Sequence, residues 1–460
     1  MTYDEAIEWL LSFADFERSG RFQDRPDVAP MLALLERLGN PHLGRTTVHI
    51  AGSKGKGSVA AIVTATLGAA GISTAGLYTS PHLYSYCERI QRRCLSWQDL
   101  IAEDEFANIV ETRVRPGVET IQVEIGERRL VTFDLLTALG FVAFHGTPEQ
   151  APVDAQVIEV GLGGRVDSTN VFNWKEIVVI TPISLEHTEI LGDTIEQIAA
   201  EKAAIITRKS AVVMAPQPDK AAERVVRETT ASVEPPLIGP HLVDVAQEYA
   251  WRRLSHDHRG QRIAIEGPRG TVTAQLPLLG SHQIENAATA LACIDAIVSG
   301  GAWNLTREDE EFIEGLASVR WPCRIEVLRE DPLVIADGAH NRDSARRLAE
   351  TLVEYFACDR ALFVIGCGSD KDVEGLAEEL APLASRVLAV RSEHPRAMAP
   401  ERIAEAFGRL RADVEIAENV PAAVDSAIAA AGAGALICVA GSLFVAAEAR
   451  AHVLGLKTAL

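Results

Sequence analysis

Residues 48–58 read V-H-I-A-G-S-K-G-K-G-S, and this stretch decides the fold. A short β-branched run feeds a glycine-rich turn with Lys56 near its end, and a small-residue, helix-prone stretch follows over 59–70. Strand, glycine loop and helix in that order form a phosphate cradle. The glycines let backbone N–H groups approach a polyphosphate, and the helix N-terminus adds partial positive charge. Lys56 is placed to reach the β- and γ-phosphates, and Ser58 to hold a magnesium ion. The general pattern puts Ser or Thr directly after Gly-Lys, whereas here Gly57 intervenes. An ordinary βα turn with packing glycines is the competing reading of the same residues.

Working outward, 460 residues are enough for two domains, and a 47% hydrophobic content supports a large core. The formal charge of −20, from 44 basic and 64 acidic residues, speaks against non-specific nucleic-acid binding. It leaves room for anionic small molecules, which need only a local basic site. Seven cysteines stand without a CxxC pair or zinc spacing, which suits free thiols in a reducing compartment. The opening M-T-Y-D-E-A-I-E-W-L-L lacks the form of a signal peptide, and no apolar run reaches the ~18 residues of a membrane span. A soluble, cytoplasmic protein is expected.

The spacing predicts helices over 2–19, 31–38, 97–113, 133–145, 194–207 and 283–298. Strands are expected at 74–79, 153–160, 177–180 and 211–214, and a small antiparallel hairpin within 236–276. Strands alternating with helices predict a mainly parallel sheet covered on both faces. A boundary near 319–322 separates residues 1–320 from a smaller β/α part, 321–460. There, strands are expected at 333–336, 361–365, 386–390 and 436–440, with helices at 344–356, 373–383 and 421–431.

Ligands bind beyond the carboxyl ends of strands in an open parallel sheet. Ser80, Glu159, Glu186 and His187 fall at such ends, with Lys202 on the next helix. Oxygen ligands plus one imidazole suit magnesium at a phosphate site. Arg165 and Asp167, after the glycines at 161–164, either bind a ligand or pair with each other. In the second part, D-G-A-H-N at 337–341, G-C-G-S-D-K-D at 366–372 and Gly441-Ser442 each follow a strand. Singly these are turn and cap residues. Together they make a second ligand face across a cleft from the first.

These residues, with N-terminal G-N-P at 39–41, Y-T-S-P-H-L at 78–83, E-V-G-L-G-G-R-V-D-S-T-N at 159–170 and W-P-C-R-I-E at 321–326, form an ordered set. The chain resembles the folylpolyglutamate synthase/dihydrofolate synthase family of the Mur ligase superfamily over nearly its whole length. The resemblance implies an N-terminal P-loop-type α/β domain with an ATP site and a smaller C-terminal Rossmann-like α/β domain that serves glutamate ligation. It also implies an ATP-dependent amide ligase. The γ-phosphate would pass to a folate or dihydropteroate carboxylate, and L-glutamate would attack the acyl phosphate. A Mur-type ligase acting on a different carboxylate is the alternative.

By the same resemblance, Gly55, Lys56, Gly57 and Ser58 would cradle the triphosphate, and Asn286, Arg324 and Asp337 would contact ATP. Ser58, Ser80, Glu159 and His187 match magnesium ligands. Lys202 matches a lysine that is carbamylated in this family, an anion that helps hold a second magnesium. Thr132, Phe133 and Asp134, with Asp167, Ser168 and Thr169, correspond to the pterin site. His340 and Ser442 match positions tied to catalysis or glutamate placement, alongside Lys56 and Lys202. A monomer with small-molecule partners and no nucleic acid or membrane is expected.

The departures are specific. Ser53-Lys54 replaces the usual Thr-Asn of the loop, Glu186 an Asp, Ala204 a Gly, and Asp134 a Glu. The region where bifunctional members carry Leu-Gly-Leu reads G-R-F-Q-D-R at 20–25.

Overall fold

The structure is a computed structural model. It describes all residues except 20–26, 70–73, 95–96, 122–128, 148–149, 237–238, 301–308, 433 and 457–460, and omits the side chains at 19, 97–98, 309 and 311–312. The segment at 20–25 singled out above therefore lies outside the described residues.

The larger sheet has eight strands: β1 (Thr46–Ala51), β2 (Ala75–Tyr78), β3 (Ile90–Cys94), β4 (Trp97–Leu100), β5 (Ala155–Glu159), β6 (Ile177–Ile180), β7 (Ala211–Met214) and β8 (Leu242–Asp244). Their order is β4-β3-β2-β5-β1-β6-β7-β8. From β2 to β8 every pairing is parallel, while β3 and β4 close one edge antiparallel. β1, the strand that feeds the glycine loop, is central, between β5 and β6.

Alternate residues explain the two layers. Val48, Ile50, Val157 and Val179 face the helices Lys56–Ala69 and Ser281–Ser299. Val178, Ile180, Val212 and Met214 face the other way, against Ile195–Ala203 and Lys220–Ala231. Strands buried on both faces read as near-continuous apolar runs, as I-V-V-I does at 177–180. The helix Lys56–Ala69 has no charge after Lys56 and is buried almost all round.

A three-stranded antiparallel sheet follows: β9 (Ala250–Asp257), β10 (Gly260–Gly267) and β11 (Gly270–Leu276). The second large sheet contains β12 (Glu326–Glu330), β13 (Leu333–Ala336), β14 (Ala361–Ile365), β15 (Ala384–Ala389), β16 (Val414–Ile416) and β17 (Leu436–Ala440). Its order is β12-β13-β17-β14-β15-β16, all parallel except β12. Apolar clusters cover both of its faces.

Three expectations are corrected. Residues 97–113 are not one helix: Trp97–Leu100 pairs with β3, and the helix starts at Glu103. The helix expected over 2–19 splits into Tyr3–Leu11 and Phe16–Ser19, although its Thr2–Glu5 capping box is present. The hairpin is a three-stranded sheet because β9, largely exposed and rich in charge, adds to it.

Candidate active site

The glycine loop folds over the carboxyl ends of β1 and β6. Ser53 N and Lys54 N donate to Pro182 O at 2.9 and 3.1 Å, tying the loop to the segment after β6. A Cβ on Gly52 would lie 1.9 Å from Thr181 Oγ1, and one on Gly55 2.5 Å from Asn286 Oδ1. Both glycines also have positive φ, so a side chain there would be strained. Gly57 is different. A Cβ there would lie 2.6 Å from Trp321 Cζ2 and 3.4 Å from Glu159 Oε2. The residue that breaks the general phosphate-loop pattern therefore lets the Trp321 indole cover the loop.

Loop, strand ends and the second sheet enclose one cavity of about 2370 Å³. Every site residue expected from the sequence lines it except Asp134 and Thr169. The helix Ser281–Ser299 approaches the loop with Asn286 and, one turn earlier, Gln283. Asn286 Nδ2 donates to Gln283 Oε1 at 2.9 Å, and Gln283 Nε2 to Ser58 Oγ at 3.4 Å. Gln283 was missed from the sequence. Its spacing of three from Asn286 on one helix face was the available signal.

Glu159 ends β5 as a buried carboxylate whose one hydrogen bond among the described residues is a long one, 3.4 Å from Ser80 N. Burial raises its pKa, and Lys56 opposes this most strongly. His187 stands in the left-handed region, and its ring makes no hydrogen bond among the described residues. Desolvation, opposed by Glu186 and aided by Lys371, Lys202 and Lys56, lowers it to about 4, so the imidazole is neutral at pH 7. Among the described residues no three His, Cys, Asp or Glu side chains cluster as a metal site. One carboxylate, two hydroxyls and a neutral imidazole beside a phosphate cradle nevertheless fit magnesium, which keeps waters and takes its remaining ligands from phosphates.

Lys202 is buried, donating from Nζ to Gly52 O at 3.0 Å and to Glu186 Oε1 at 2.8 Å. Desolvation lowers its pKa against the pull of Glu186. Burial pushes Glu186 up, but Lys202, Lys56 and Lys54 outweigh it and hold the carboxyl at about 2. Lys54, half-buried, feels Glu186 from its own domain and Asp343 and Lys371 from the other.

The start of the helix Thr132–His145 and the loop after β5 are held by internal bonds. Asp134 accepts from Val131 N at 2.9 Å and from Ser168 Oγ at 2.7 Å, so it caps the helix Thr132–His145 and holds the next loop. Thr132 Oγ1 donates to Leu10 O at 3.1 Å. Phe133 instead faces the cavity, over Gly161, where a Cβ would lie 2.6 Å from Phe133 Cζ. Arg165 and Asp167 do not pair: Arg165 Nε meets Glu201 at 2.8 Å, and Asp167 accepts from Leu162 N at 2.9 Å. Glu88 accepts from Leu83 N, Tyr84 N and Ser85 N at 2.7–2.9 Å, which fixes the loop that starts at Ser80.

The second domain presents Arg324 between two left-handed residues, Cys323 and Ile325. A β-branched residue there is strained. Ile325 N donates to Asp337 Oδ2 at 2.9 Å, and Cys323 N to Glu326 Oε2 at 2.9 Å, so two carboxylates hold the turn. Burial raises the Asp337 pKa, and Arg324 opposes it. His340 Nδ1 lies 2.9 Å from Gly338 O, and desolvation lowers the ring to about 3. The neutral ring donates through Nδ1, which makes Nε2 an acceptor. Ser442 caps the helix Leu443–Leu454, accepting from Phe444 N at 3.1 Å.

Residues 50–294 match the Mur ligase middle domain, and residues 323–443 the Mur ligase glutamate ligase domain. The folylpolyglutamate synthase of Lacticaseibacillus casei is 32% identical over 461 residues, covering 100% of both chains. The chain belongs to the folylpolyglutamate synthase/dihydrofolate synthase family. A folylpolyglutamate synthase of Mycobacterium tuberculosis, solved with ADP and AMPPCP, superposes on this family member with a TM-score of 0.85 at 31% identity, covering 99% of this chain and 100% of that one. A probable bifunctional folylpolyglutamate synthase/dihydropteroate synthase of Halobacterium salinarum is 35% identical over 460 residues. The match covers 98% of this chain, which spans 51% of that relative's length.

Proposed function

We propose that this chain is an ATP-dependent ligase that joins L-glutamate to the carboxylate of folate or dihydropteroate through an acyl phosphate. One observation carries the reading beyond family membership: the phosphate loop and the mouths of the second sheet, Arg324 and His340, open into a single cavity. ATP bound at residues 55–58 would point its terminal phosphate at that shared space. Residues 1–320 would then supply the nucleotide and acceptor sites, and residues 321–460 the glutamate face.

Lys56 binds the terminal phosphates, and Asn286, Arg324 and Asp337 hold the rest of ATP. Phe133 packs on the pterin ring, and Asp167 and Ser168 set the loop beneath it. An acceptor carboxylate oxygen attacks the γ-phosphorus and ADP leaves. The neutral glutamate amine then attacks the acyl carbon, the C–O bond breaks, and phosphate leaves with the proton that nitrogen loses. Magnesium, when bound, would be held by Ser58, Ser80, Glu159 and His187, and supplies charge neutralisation for the phosphates. The protein's contribution is positioning and fixed charge. His340 lines the cavity, and its Nε2, as an acceptor, orients the incoming amine.

Lys202 is proposed to react with carbon dioxide as the neutral amine that burial favours, and the carbamate would hold a second magnesium. Glu186 at 2.8 Å works against this by stabilising the ammonium. Assay with bicarbonate and carbon dioxide excluded separates the two: a carbamate enzyme loses rate and regains it on adding bicarbonate, and an ammonium enzyme keeps its rate.

The overall reading is tested by phosphate release from ATP with glutamate against dihydropteroate, folate and tetrahydrofolate. Release should require glutamate and one of these acceptors together. Release that ignores both, or answers only to another acid–amine pair, overturns it.

A further inference from the structure

Behind the acceptor-side loop runs a chain of buried polar groups, of which Lys175 and His49 have no part in the reaction outlined above. Lys175, with no exposed surface (0%), lies 2.8 Å from His49 Nδ1 and donates to Asn170 Oδ1 at 3.2 Å. His49 Nε2 lies 2.8 Å from Thr169 Oγ1. Thr169 Oγ1 donates to Asp167 Oδ1, and Asp167 Oδ2 accepts from Leu162 N at 2.9 Å.

The bonds have one consistent direction. Thr169 gives its proton to the carboxylate, so it accepts from His49 Nε2–H. His49 Nδ1 therefore carries a lone pair and accepts from Lys175. The chain ends on the backbone of the glycine loop at 161–164, which lines the cavity under Phe133. Its middle member stands on β1, three residues before Gly52. One chain of bonds thus spans the phosphate-loop strand and the acceptor-side loop.

Among the described residues no carboxylate pairs with Lys175. The groups packed on it are His49 from β1, the Asn170 amide and the Phe172 ring, 5.6 Å from Nζ, while Ser210 Oγ donates to its backbone carbonyl. His49 is the one titratable group facing it among the described residues, and burial with the nearby lysine keeps that ring neutral. A buried amine without a counter-ion is costly.

We infer that Lys175 and His49 are a positioning pair that sets the acceptor-binding loop through Thr169 and Asp167. This rests on the ligase reading above. Burial pushes the Lys175 ammonium down to about 7, so its proton comes and goes near neutral pH. As an ammonium it makes a charge-assisted bond to His49, and as an amine a weaker one.

The test is steady-state kinetics on wild type, Lys175→Met, Thr169→Val, Thr169→Ser and the Lys175→Met/Thr169→Val double variant. Both Lys175→Met and Thr169→Val should raise the acceptor KM several-fold with the ATP KM unchanged. Thr169→Ser keeps the hydroxyl and should restore the wild-type value. The double variant should be no worse than the worse single one, because both cut the same chain. The acceptor KM of Lys175→Met relative to wild type should be largest near about pH 6 and shrink toward about pH 9, as the wild-type amine loses its charge. Parallel changes in both KM values, additive effects in the double variant, or no change would overturn the inference. Wild type without acceptor-dependent turnover would remove the ligase reading and this inference together. Wild-type turnover with unaffected variants would remove the inference alone.

Discussion

Gly57 lies under the indole of Trp321, and no side chain fits between them without movement of one or the other. Gly57→Ala should cost about 1–3 kcal/mol of local strain, which is roughly tenfold or more in ADP affinity by calorimetry. Trp321→Ala in the same chain should recover part of that loss, and ADP binding at the wild-type level in Gly57→Ala would contradict the account. This glycine was legible in the sequence as an irregularity but not as a contact. Its partner is 264 residues away, beyond any periodicity. Glu159 and His187 were legible as positions, because both stand at the mouths of apolar strands, and both line the cavity. Asp134 was legible as a position, but not as a side chain with both oxygens committed to Val131 and Ser168. Nor did the sequence suggest that Glu186, set down as a departure, would hold Lys202.

At the scale of elements, the central strands were readable because burial on both faces leaves apolar runs such as I-V-V-I and L-I-C-V-A. The edges were not. β4, β9, β12 and β16 carry charge and polar residues because at least one of their faces meets solvent or their pairing is one-sided. The segment between β5 and β6 looked like a loop rich in turn residues, yet it delivers Thr169 and Lys175 to the back of β1. Lys175 has a consequence for stability. Its pKa is about 7 folded and near 10.5 unfolded, so the unfolded chain holds more protons between those values. Stability from this group therefore rises with pH across that window and is lost as pH falls through 7. The stability difference between wild type and Lys175→Met should change in favour of wild type by up to about 1.4 kcal/mol per pH unit. Urea denaturation at several pH values above 7 measures this, and parallel curves for the two proteins would contradict it.

In the whole molecule, two α/β bodies meet around one cavity, each offering the carboxyl ends of its parallel strands. Several specific contacts join the bodies, among them Tyr355 OH donating to Gln261 Oε1 at 2.7 Å. Tyr84 OH donates to Ala447 O at 3.0 Å, and Arg253 pairs with Glu354. Trp321 and Arg324 join them along the chain. That arrangement suits a reaction in which an activated acyl group, formed on one side, meets an amine held on the other. The central claim is that the acceptor carboxylate is itself phosphorylated, and oxygen transfer tests it most directly. With both carboxylate oxygens of the acceptor labelled with the heavy isotope, each turnover should move one label into the released phosphate and leave one in the new amide, as read by mass spectrometry. Unlabelled phosphate from a glutamate-dependent turnover would contradict the account.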